Sequence, residues 1–537
     1  PHSSMGSFCS KKGGLVRHSF IVVTSGAHCS VRQLRKTANS LLESSIVPNH
    51  WIISESTLDH ERVTRTRKMR TSSIVIARSD VVVIEHAVVV FLRAGDQLAP
   101  QALATIDQKL TEQPGLDFIY GDSSHGRPSR FEEVTNVRRP GWSPERLRSH
   151  NYVGDLVAVR ARIAASAGGA TLLSKLHSHD RSLRLSEHSK NATRIAEVLC
   201  LSTQDRIEPT ASLQAVREHC DRTGINAECS IDAHVPVVRV NRHVSRKPKI
   251  SVIVPTRGTV QEIRGKNIVM AAHAIRSLRN TCTYKNLEII AVLDKETTQE
   301  SRNEIIDAGS NLITVVEYDQ EFNFAEKVNL GVVNSDGDYL LLLNDDTEFI
   351  SPDTIETLMG LLEDPEVAMA GPMLLYEDGL IQSAGHILNP IPYDLYRHRS
   401  PQHVGAQNML RVQREVSGVI AACVLIKRSA FLEVGGLCTL FPSNYNDVDF
   451  GLKLRDAGYR IVWTPHAQMY HFESKTRSPK LRPFEVASIG KRWRDKLDDD
   501  PYFNPHLERY ISVWKQNVLG QRSLVEALGP TAPIASK

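Results

Sequence analysis

The feature that most constrains this chain is a pattern told twice: short apolar runs that end abruptly in polar residues, alternating with helical stretches. The clearest run is Tyr339-Leu340-Leu341-Leu342-Leu343, which gives way at once to Asn344, Asp345 and Asp346. A run this short and uniformly apolar reads as a strand buried on both faces, as in parallel sheets. Ligands of such sheets collect beyond the carboxyl ends of the strands. Two carboxylates at that edge are costly to hold together unless a cation lies between them. The pair therefore reads as the holder of a divalent metal that in turn holds a phosphate. The other reading is a plain strand-to-helix turn, because Ser351-Pro352-Asp353 offers an N-cap and a proline suited to the first helical position.

The first telling begins with a strand at Phe20 to Ser25, a helix over about 31–42, and strands at Trp51 to Ser54 and Ser73 to Ala77. Val88 to Leu92 follows, ending in Arg93-Ala94-Gly95-Asp96, with one carboxylate where the later copy has two. A helix over about 100–112 and a strand at Asp117 to Tyr120 complete it. The second telling has a strand from Lys249 to Val254 ending in Pro255, a helix over about 268–279, and a strand from Leu287 to Leu293 closed by Asp294. A strand at Leu312 to Tyr318 and a helix over about 325–334 then lead to Tyr339. This order predicts a duplicated α/β domain with a mainly parallel sheet, over 15–204 and 248–482. A linker over 205–247, with at most a helix or two, joins the copies, and 483–537 reads as a helical C-terminal extension.

At 537 residues the length prior is about three domains. Charged residues at 23% and hydrophobic residues at 41% describe a soluble globular chain and not a disordered one. The formal net charge of +4 leaves no general nucleic-acid footprint. Basic clusters at Arg62 to Arg70, Arg138-Arg139 and Arg242 to Lys249 permit contact with an anionic membrane surface. The longest apolar stretch, Val81 to Leu92, is broken by Glu85 and His86 and is too short to span a bilayer. No secretory signal is legible at the start, and 1–7 reads as an appended remnant. The eight cysteines include no CxxC pair, as expected of incidental thiols in a reducing cytoplasm.

Three strand ends of the second copy offer polar groups to one crevice: Pro255-Thr256-Arg257, Asp294, and Asp345-Asp346. A carboxylate after the second strand can accept hydrogen bonds from the base or ribose of a nucleotide, although strand ends also carry Asp as a turn former. Asn446-Asp447-Val448-Asp449 opens an amphipathic helix, whose positive end favours an ionised Asp447. An acid kept ionised at a cleft suits a general base that takes a proton from a sugar hydroxyl; a plain helix cap is the alternative. His471 gains meaning only if it shares the crevice with Asp346. One carboxylate, one imidazole and phosphate oxygens would suit Mn or Mg.

These residues resemble a known family. Ser251-Val252-Ile253-Val254-Pro255-Thr256, Phe322-Asn323-Phe324-Ala325-Glu326-Lys327-Val328-Asn329 and Leu343-Asn344-Asp345-Asp346 come in the order of a family 2 glycosyltransferase with the GT-A fold. Gly371 to Tyr376, Ile381-Gln382-Ser383-Ala384-Gly385, Asn446 to Asp449, Ala457 to Arg460 and Tyr470-His471-Phe472-Glu473-Ser474 continue the series. The set covers about 248–510. The resemblance implies tandem GT-A-like modules of the type that builds bacterial surface polysaccharides, such as O-antigen. It places Asp345 and Asp346 on the DXD motif, with Asp346 the direct metal ligand, and His471 at the metal and diphosphate. It puts Asp447 on the acid that deprotonates the acceptor. Pro255, Thr256, Asp294, Lys327, Asn329, Asn344 and Asp345 fall around the donor nucleotide, although Val292-Leu293-Asp294-Lys295 departs from the usual Val-Asp-Asn. Val416-Ser417-Gly418-Val419 falls near the acceptor.

The implied activity is inverting, metal-dependent transfer of a sugar from a UDP-, dTDP- or GDP-sugar to a hydroxyl of a growing glycan. The implied acceptor is linked to a polyprenyl diphosphate, and the implied place is the cytoplasm, peripheral to the inner membrane and beside other assembly enzymes. The first module resembles the family through Trp142 to Leu147 and His150 to Gly154, but lacks the acidic pair and a counterpart of His471. Ser178 to Leu183 is only a thin echo of the base motif. That module is expected to serve as scaffold or acceptor-binding surface. The competing readings are a bifunctional enzyme with both modules active and a non-catalytic glycan-binding protein. A sugar nucleotidyltransferase would want a Gly-rich basic loop after the first strand, and a dinucleotide dehydrogenase a GxGxxG there; neither is present.

Overall fold

The structure, a computed structural model, describes residues 18–25, 29–54, 73–77, 87–125, 135–202, 208–389, 391–472 and 481–515. Residues 1–7, the cluster at Arg62 to Arg70, the stretch Val81 to His86, Glu473 and Ser474, and 516–537 of the expected C-terminal extension lie outside them. Contacts divide the chain into two units, Pro1–Arg139 with Val153–Arg206, and Pro140–Tyr152 with Ile207–Lys537.

In the first unit, eight strands form the path of one sheet: β1 (Ser19–Ser25), β2 (His50–Ser54), β3 (Val75–Ala77), β4 (Ala87–Phe91), β5 (Gln97–Leu98), β6 (Phe118–His125), β7 (Val157–Arg160) and β8 (Ala192–Ser202). Their order across the sheet is β3-β2-β1-β4-β7-β6-β8-β5. The helices Val31–Glu43 and Ala102–Glu112 cover one face, burying Leu34, Leu41, Leu103 and Ile106 against Phe20, Val22, Val88 and Val90. Ser30 starts the first helix with a capping box, its side chain accepting from the Gln33 amide while Gln33 reaches back to the Ser30 amide.

The second unit repeats this order strand for strand. Its members are β9 (Ile250–Thr256), β10 (Leu287–Asp294), β11 (Ile313–Tyr318), β12 (Tyr339–Leu343), β13 (Thr347–Phe349), β14 (Val367–Leu375), β15 (Cys423–Lys427) and β16 (Arg460–His471). The order is β11-β10-β9-β12-β15-β14-β16-β13, each number eight higher than in the first sheet. The sense of every neighbouring pair is conserved as well.

The uniform apolar run of β12 is explained by the two layers it separates. Leu340 and Leu342 point into one core with Ile253, Val328 and Val332; Leu341 and Leu343 point into the other with Val252, Val254 and Ile275. Alternate residues of one strand thus feed cores on opposite faces, one with the helix Phe324–Val333 and the other with the helix Met270–Thr281. Each fully buried leucine contributes about 1.5–3 kcal/mol to that packing.

Two expectations need refining. The sheets are mixed: four of the seven neighbouring pairs are parallel, but β15 runs antiparallel to both β12 and β14, and β13 runs antiparallel to β16. Burial on both faces gives Cys423-Val424-Leu425-Ile426 the same apolar reading whichever way the strand runs. The segment 205–247 holds more than a helix or two: after the helix Pro209–Thr223 comes a hairpin, Ala227–Ile231 with Val238–Arg242. Only one of the five residues of Ala227–Ile231 is buried, so its pattern was too weak to read. A helix, Pro483–Asp498, follows β16 as expected.

Residues 140–152 join the second unit through buried polar contacts. Ser143 Oγ donates to Glu415 Oε2 at 2.5 Å, and Glu145 pairs with Arg242 at 2.6 Å. Arg148, Arg242 and Arg460 around Glu145 hold its carboxyl down at about 2 against the opposing effect of burial.

Candidate active site

Pairing between β9 and β12 stops at Ile253 and Leu342, so the two strands part before β9 ends. Pro255, which has no amide hydrogen to give, sits beyond that point without breaking a bond to β12. Here the strand order reverses, from β9 outward to β10 and β11 and then back to β12, which is where open α/β sheets bind ligands. A cleft of about 300 Å3 opens there, lined by Pro255, Thr256, Asn344, Asp345, Asp346, Asp447 and His471 among others.

Thr256 Oγ1 bridges the parting, donating to Asp345 Oδ2 at 2.7 Å and accepting from the Gly258 amide at 2.9 Å. Gly258 has φ +67°, and a Cβ there would meet Thr297 Cγ2 at 2.4 Å, so only glycine closes this turn. Burial first, and the charge of Asp346 second, push the Asp345 carboxyl up to about 7.

Asp346 faces His471, whose Nε2 lies 3.1 Å from Asp346 Oδ1. The antiparallel pairing of β13 with β16 delivers that contact by placing Thr347 opposite His471. Gln382 sets the imidazole: its Nε2 donates to the His471 carbonyl at 3.3 Å, which turns its Oε1 toward His471 Nδ1 at 2.6 Å. Nδ1 must then carry a proton, leaving Nε2 to face the carboxylate, in the way that outer partners orient histidine ligands of metals.

Asp294 and Lys327 stand behind the cleft instead of lining it. Lys327 is wholly buried and donates to Asp294 Oδ1 at 2.5 Å and to the Thr256 carbonyl at 2.6 Å. Burial lowers the Lys327 pKa, and Asp294 opposes that fall. Arg257 Nε reaches the other Asp294 oxygen at 3.2 Å. This pair therefore fixes the backbone that carries Thr256. Asn329 is placed elsewhere, with its Oδ1 accepting from the Leu437 amide and its Nδ2 donating to the Leu437 carbonyl, both at 2.9 Å.

Asp447 lies in the first turn of the helix Asn446–Asp456, half-buried in the cleft wall, with Oδ1 accepting from the Val448 amide at 2.8 Å. Before it, Tyr445 holds a left-handed φ of +61°, a conformation that costs a non-glycine residue free energy and marks a backbone held for position. Glu485 keeps this corner in place by accepting from the Ser443 and Asn444 amides at 3.0 and 2.8 Å. Asp449 turns the other way, fully buried against Trp493 Nε1 at 2.7 Å and Arg492 Nε at 2.9 Å.

Reading the chain did not single out Gln382, Glu485, His386 or Asp394 for a role. Gln382 was within reach, since it sits in one of the stretches that carry the family resemblance. The others act through contacts that no local spacing encodes.

Among the described residues no group of three or more His, Cys, Asp or Glu side chains is placed to hold a metal ion by itself. The residues at the cleft nevertheless fit an open site for a hard cation. Asp345 and Asp346 are both buried and offer oxygen, His471 Nε2 offers nitrogen, and the buried Asn344 Oδ1 has no hydrogen-bond partner. Among the described residues, no helix is long and apolar enough to cross a membrane.

The model of glycosyl transferase family 2 matches residues 251–435. The O-antigen biosynthesis protein RfbC of Myxococcus xanthus is 28% identical over 466 residues, 83% of this chain and 36% of that protein. The uncharacterized protein y4gI of Sinorhizobium fredii (strain NBRC 101917 / NGR234) is 28% identical over 462 residues, 80% of this chain and 49% of that protein. The N-acetylglucosaminyl-diphospho-decaprenol L-rhamnosyltransferase of Mycobacterium tuberculosis (strain CDC 1551 / Oshkosh) is 26% identical over 152 residues, 26% of this chain and 48% of that protein. The chain thus spans about a third to a half of the length of these relatives. It carries a glycosyltransferase family 2 domain over residues 251–435, in its second unit.

Proposed function

We propose that the second unit transfers a sugar, with inversion, from a nucleotide-sugar donor to a hydroxyl of a growing cell-surface glycan, and that it needs Mn or Mg. The observation that carries this reading is the buried pair Asp345 and Asp346 at the end of β12, in one cleft with Asp447 and His471. A bound cation would supply charge neutralisation for the departing nucleoside diphosphate. Asp346, His471 and Asp345 would hold it, with Gln382 orienting His471.

Asp447 takes the proton of the incoming hydroxyl. It stands on the cleft wall formed by the 443–448 corner, in the first turn of the helix Asn446–Asp456. Thr256 and Asn344 orient the donor's nucleotide end, and the Lys327–Asp294 pair holds Thr256 in register from behind. Attack by an acceptor hydroxyl on the face away from the leaving group gives one displacement and inversion, by the logic that governs inverting hydrolysis. The name of the Myxococcus relative supports a surface glycan as product, and that of the Mycobacterium relative supports a polyprenyl-diphosphate-linked acceptor.

The modules divide the work in this reading: 248–482 is catalytic, while 15–204 is a scaffold or acceptor-binding surface without transfer activity of its own. The test is hydrolysis and transfer of UDP-, dTDP- and GDP-sugars with Mn or Mg, on wild type and Asp346→Ala. Turnover of one donor that needs the metal and is lost in the variant is expected. A wild-type protein that turns over none of them removes the proposal.

A further inference from the structure

We propose that the hairpin His386–Asp394 is the subsite for the acceptor's terminal sugar, with Asp394 binding a neutral ring hydroxyl beside the one that Asp447 deprotonates. This rests on the transferase reading above, but only for the identity of Asp447 as base.

The hairpin pairs His386 with Asp394, Ile387 with Tyr393 and Leu388 with Pro392. Its register therefore sets His386 and Asp394 side by side, and both line the cleft that holds Asp447. The His386 backbone is held from behind, and its ring lies close to Gly418. Its amide donates to the Gly418 carbonyl at 2.8 Å, and a Cβ on Gly418 would come within 2.9 Å of Nδ1. His386 Nε2 stands 3.6 Å from Asp394 Oδ1, near enough for electrostatic attraction and too far for a hydrogen bond. Asp394 Oδ1 is accordingly a buried oxygen with no hydrogen-bond partner.

An unpartnered buried oxygen costs roughly what its lost hydration was worth, and in a cleft wall it calls for a donor from the ligand. The surroundings decide which donor. Burial raises the Asp394 pKa, His386 and a hydrogen bond with Ser383 oppose that rise, and the charge of Asp447, in the same cleft, adds to it. Two carboxyl groups so placed disfavour an anionic ligand group between them. A sugar hydroxyl can both donate and accept, so it satisfies Asp394 in either protonation state. Tyr393 and Pro392, also in the wall, offer apolar surface to the carbon face of the ring. Neutral vicinal hydroxyls of a terminal hexose or deoxyhexose match this wall.

The test is binding, which needs no turnover. The full chain, with Mn and UDP, is titrated calorimetrically with 4-nitrophenyl glycosides of glucose, galactose, mannose and rhamnose. At least one should bind wild type. Asp394→Ala should weaken it by about tenfold or more, while Asp447→Asn should leave it within about threefold. Asp394→Asn retains an oxygen and tests whether loss in the alanine variant is merely misfolding; it should recover most of the affinity at an unchanged melting temperature. UDP affinity should be the same in all three variants. Equal glycoside affinity in wild type and Asp394→Ala, or no glycoside binding to wild type, overturns the subsite. Glycoside binding that depends on Asp394, in a protein that turns over no donor, would keep the subsite and overturn the transferase reading instead.

Discussion

The fourth strands of the two units, β4 and β12, sit at the same place in the same sheet order and end in opposite ways. Counted from their last residues, Phe91 and Leu343, Arg93 stands where the second unit has Asp345, and Ala94 where it has Asp346. The first unit's carboxylate, Asp96, comes two residues later, beside an arginine it shares with Asp155: Arg93 Nη2 lies 3.5 Å from Asp96 Oδ1 and Nη1 3.3 Å from Asp155 Oδ2, and Ser202 Oγ donates to Asp96 Oδ1 at 3.3 Å. Its backbone is spoken for as well, since the Asp96 carbonyl accepts from Thr37 Oγ1 at 2.9 Å. In the second unit Asp345 accepts from the Thr256 hydroxyl and Asp346 faces the His471 imidazole. One fold thus meets the buried carboxylate at a sheet edge in two ways, beside an arginine in the first unit and beside a hydroxyl and an imidazole in the second.

The contrast is broken most directly by removing each acid. Asp346→Ala should lower kcat/KM for donor turnover by about a hundredfold or more, while Asp96→Ala should change it by less than about twofold. Steady-state kinetics with saturating Mn checks both. Equal losses would mean that the first unit also performs chemistry and that Arg93 does not silence it.

Next in size is the outer support of the metal side. Gln382→Leu removes the group that orients His471, and its expected cost is about ten- to a hundredfold in Mn affinity with little change in melting temperature. Mn titration followed by electron paramagnetic resonance measures it. No shift in affinity would show that His471 is held by packing alone. The first unit offers no equivalent experiment, because its acid is answered by a covalently attached charge.

That charge supplies the third comparison. Asp96 is only 1% exposed, so Arg93→Ala takes a cation from beside a buried carboxylate, an expected loss of about 1–3 kcal/mol in the stability of the first unit. Urea unfolding followed through a probe on that unit reads it. Arg93→Ala with Asp96→Asn should recover most of the loss, since the charge that needed the arginine is gone. Stability unaffected by Arg93→Ala would undo the claim that arginine takes the cation's place.

How much of this was legible follows from where the information sits. The strand runs and their acidic ends could be read because burial on both faces forces a continuous apolar stretch, and a strand end forces the change to polar residues. The duplication could be read for the same reason. Strand direction could not, because β15 between two cores needs the same residues whether parallel or antiparallel. Asp345, Asp346, Asp447 and His471 were legible as an ordered series, and the structure brings them to one cleft. The duties of Lys327 and Asn329 were not. A lysine 33 positions from its aspartate and an asparagine 108 positions from its leucine act through tertiary contacts, which no period or spacing records. The membership of 140–152 was hidden likewise, since its anchor is Glu415, 272 positions beyond Ser143.

The smallest expected effect separates the two edges by pH. The Asp345 carboxyl titrates at about 7 when folded, against about 3.9 for an unperturbed aspartate. Between those values the folded chain binds more protons than the unfolded one, so its stability falls as pH rises through the window and the whole penalty is present above it. Asp345→Asn should therefore leave metal-free stability unchanged near pH 4 and raise it by about 1–2 kcal/mol at pH 8, below the roughly 4 kcal/mol that the full shift would give. Added Mn should invert the order at pH 8, because the ionised wild-type pair then gains a ligand that the asparagine variant holds less well. Urea unfolding at both pH values, with and without Mn, follows all four states. Asp96, with Arg93 beside it, should give no such inversion: its Asn variant should respond to Mn as the wild type does. An inversion at both edges would mean that the arginine does not distinguish them, and an inversion at neither would leave Asp345 and Asp346 as a structural pair.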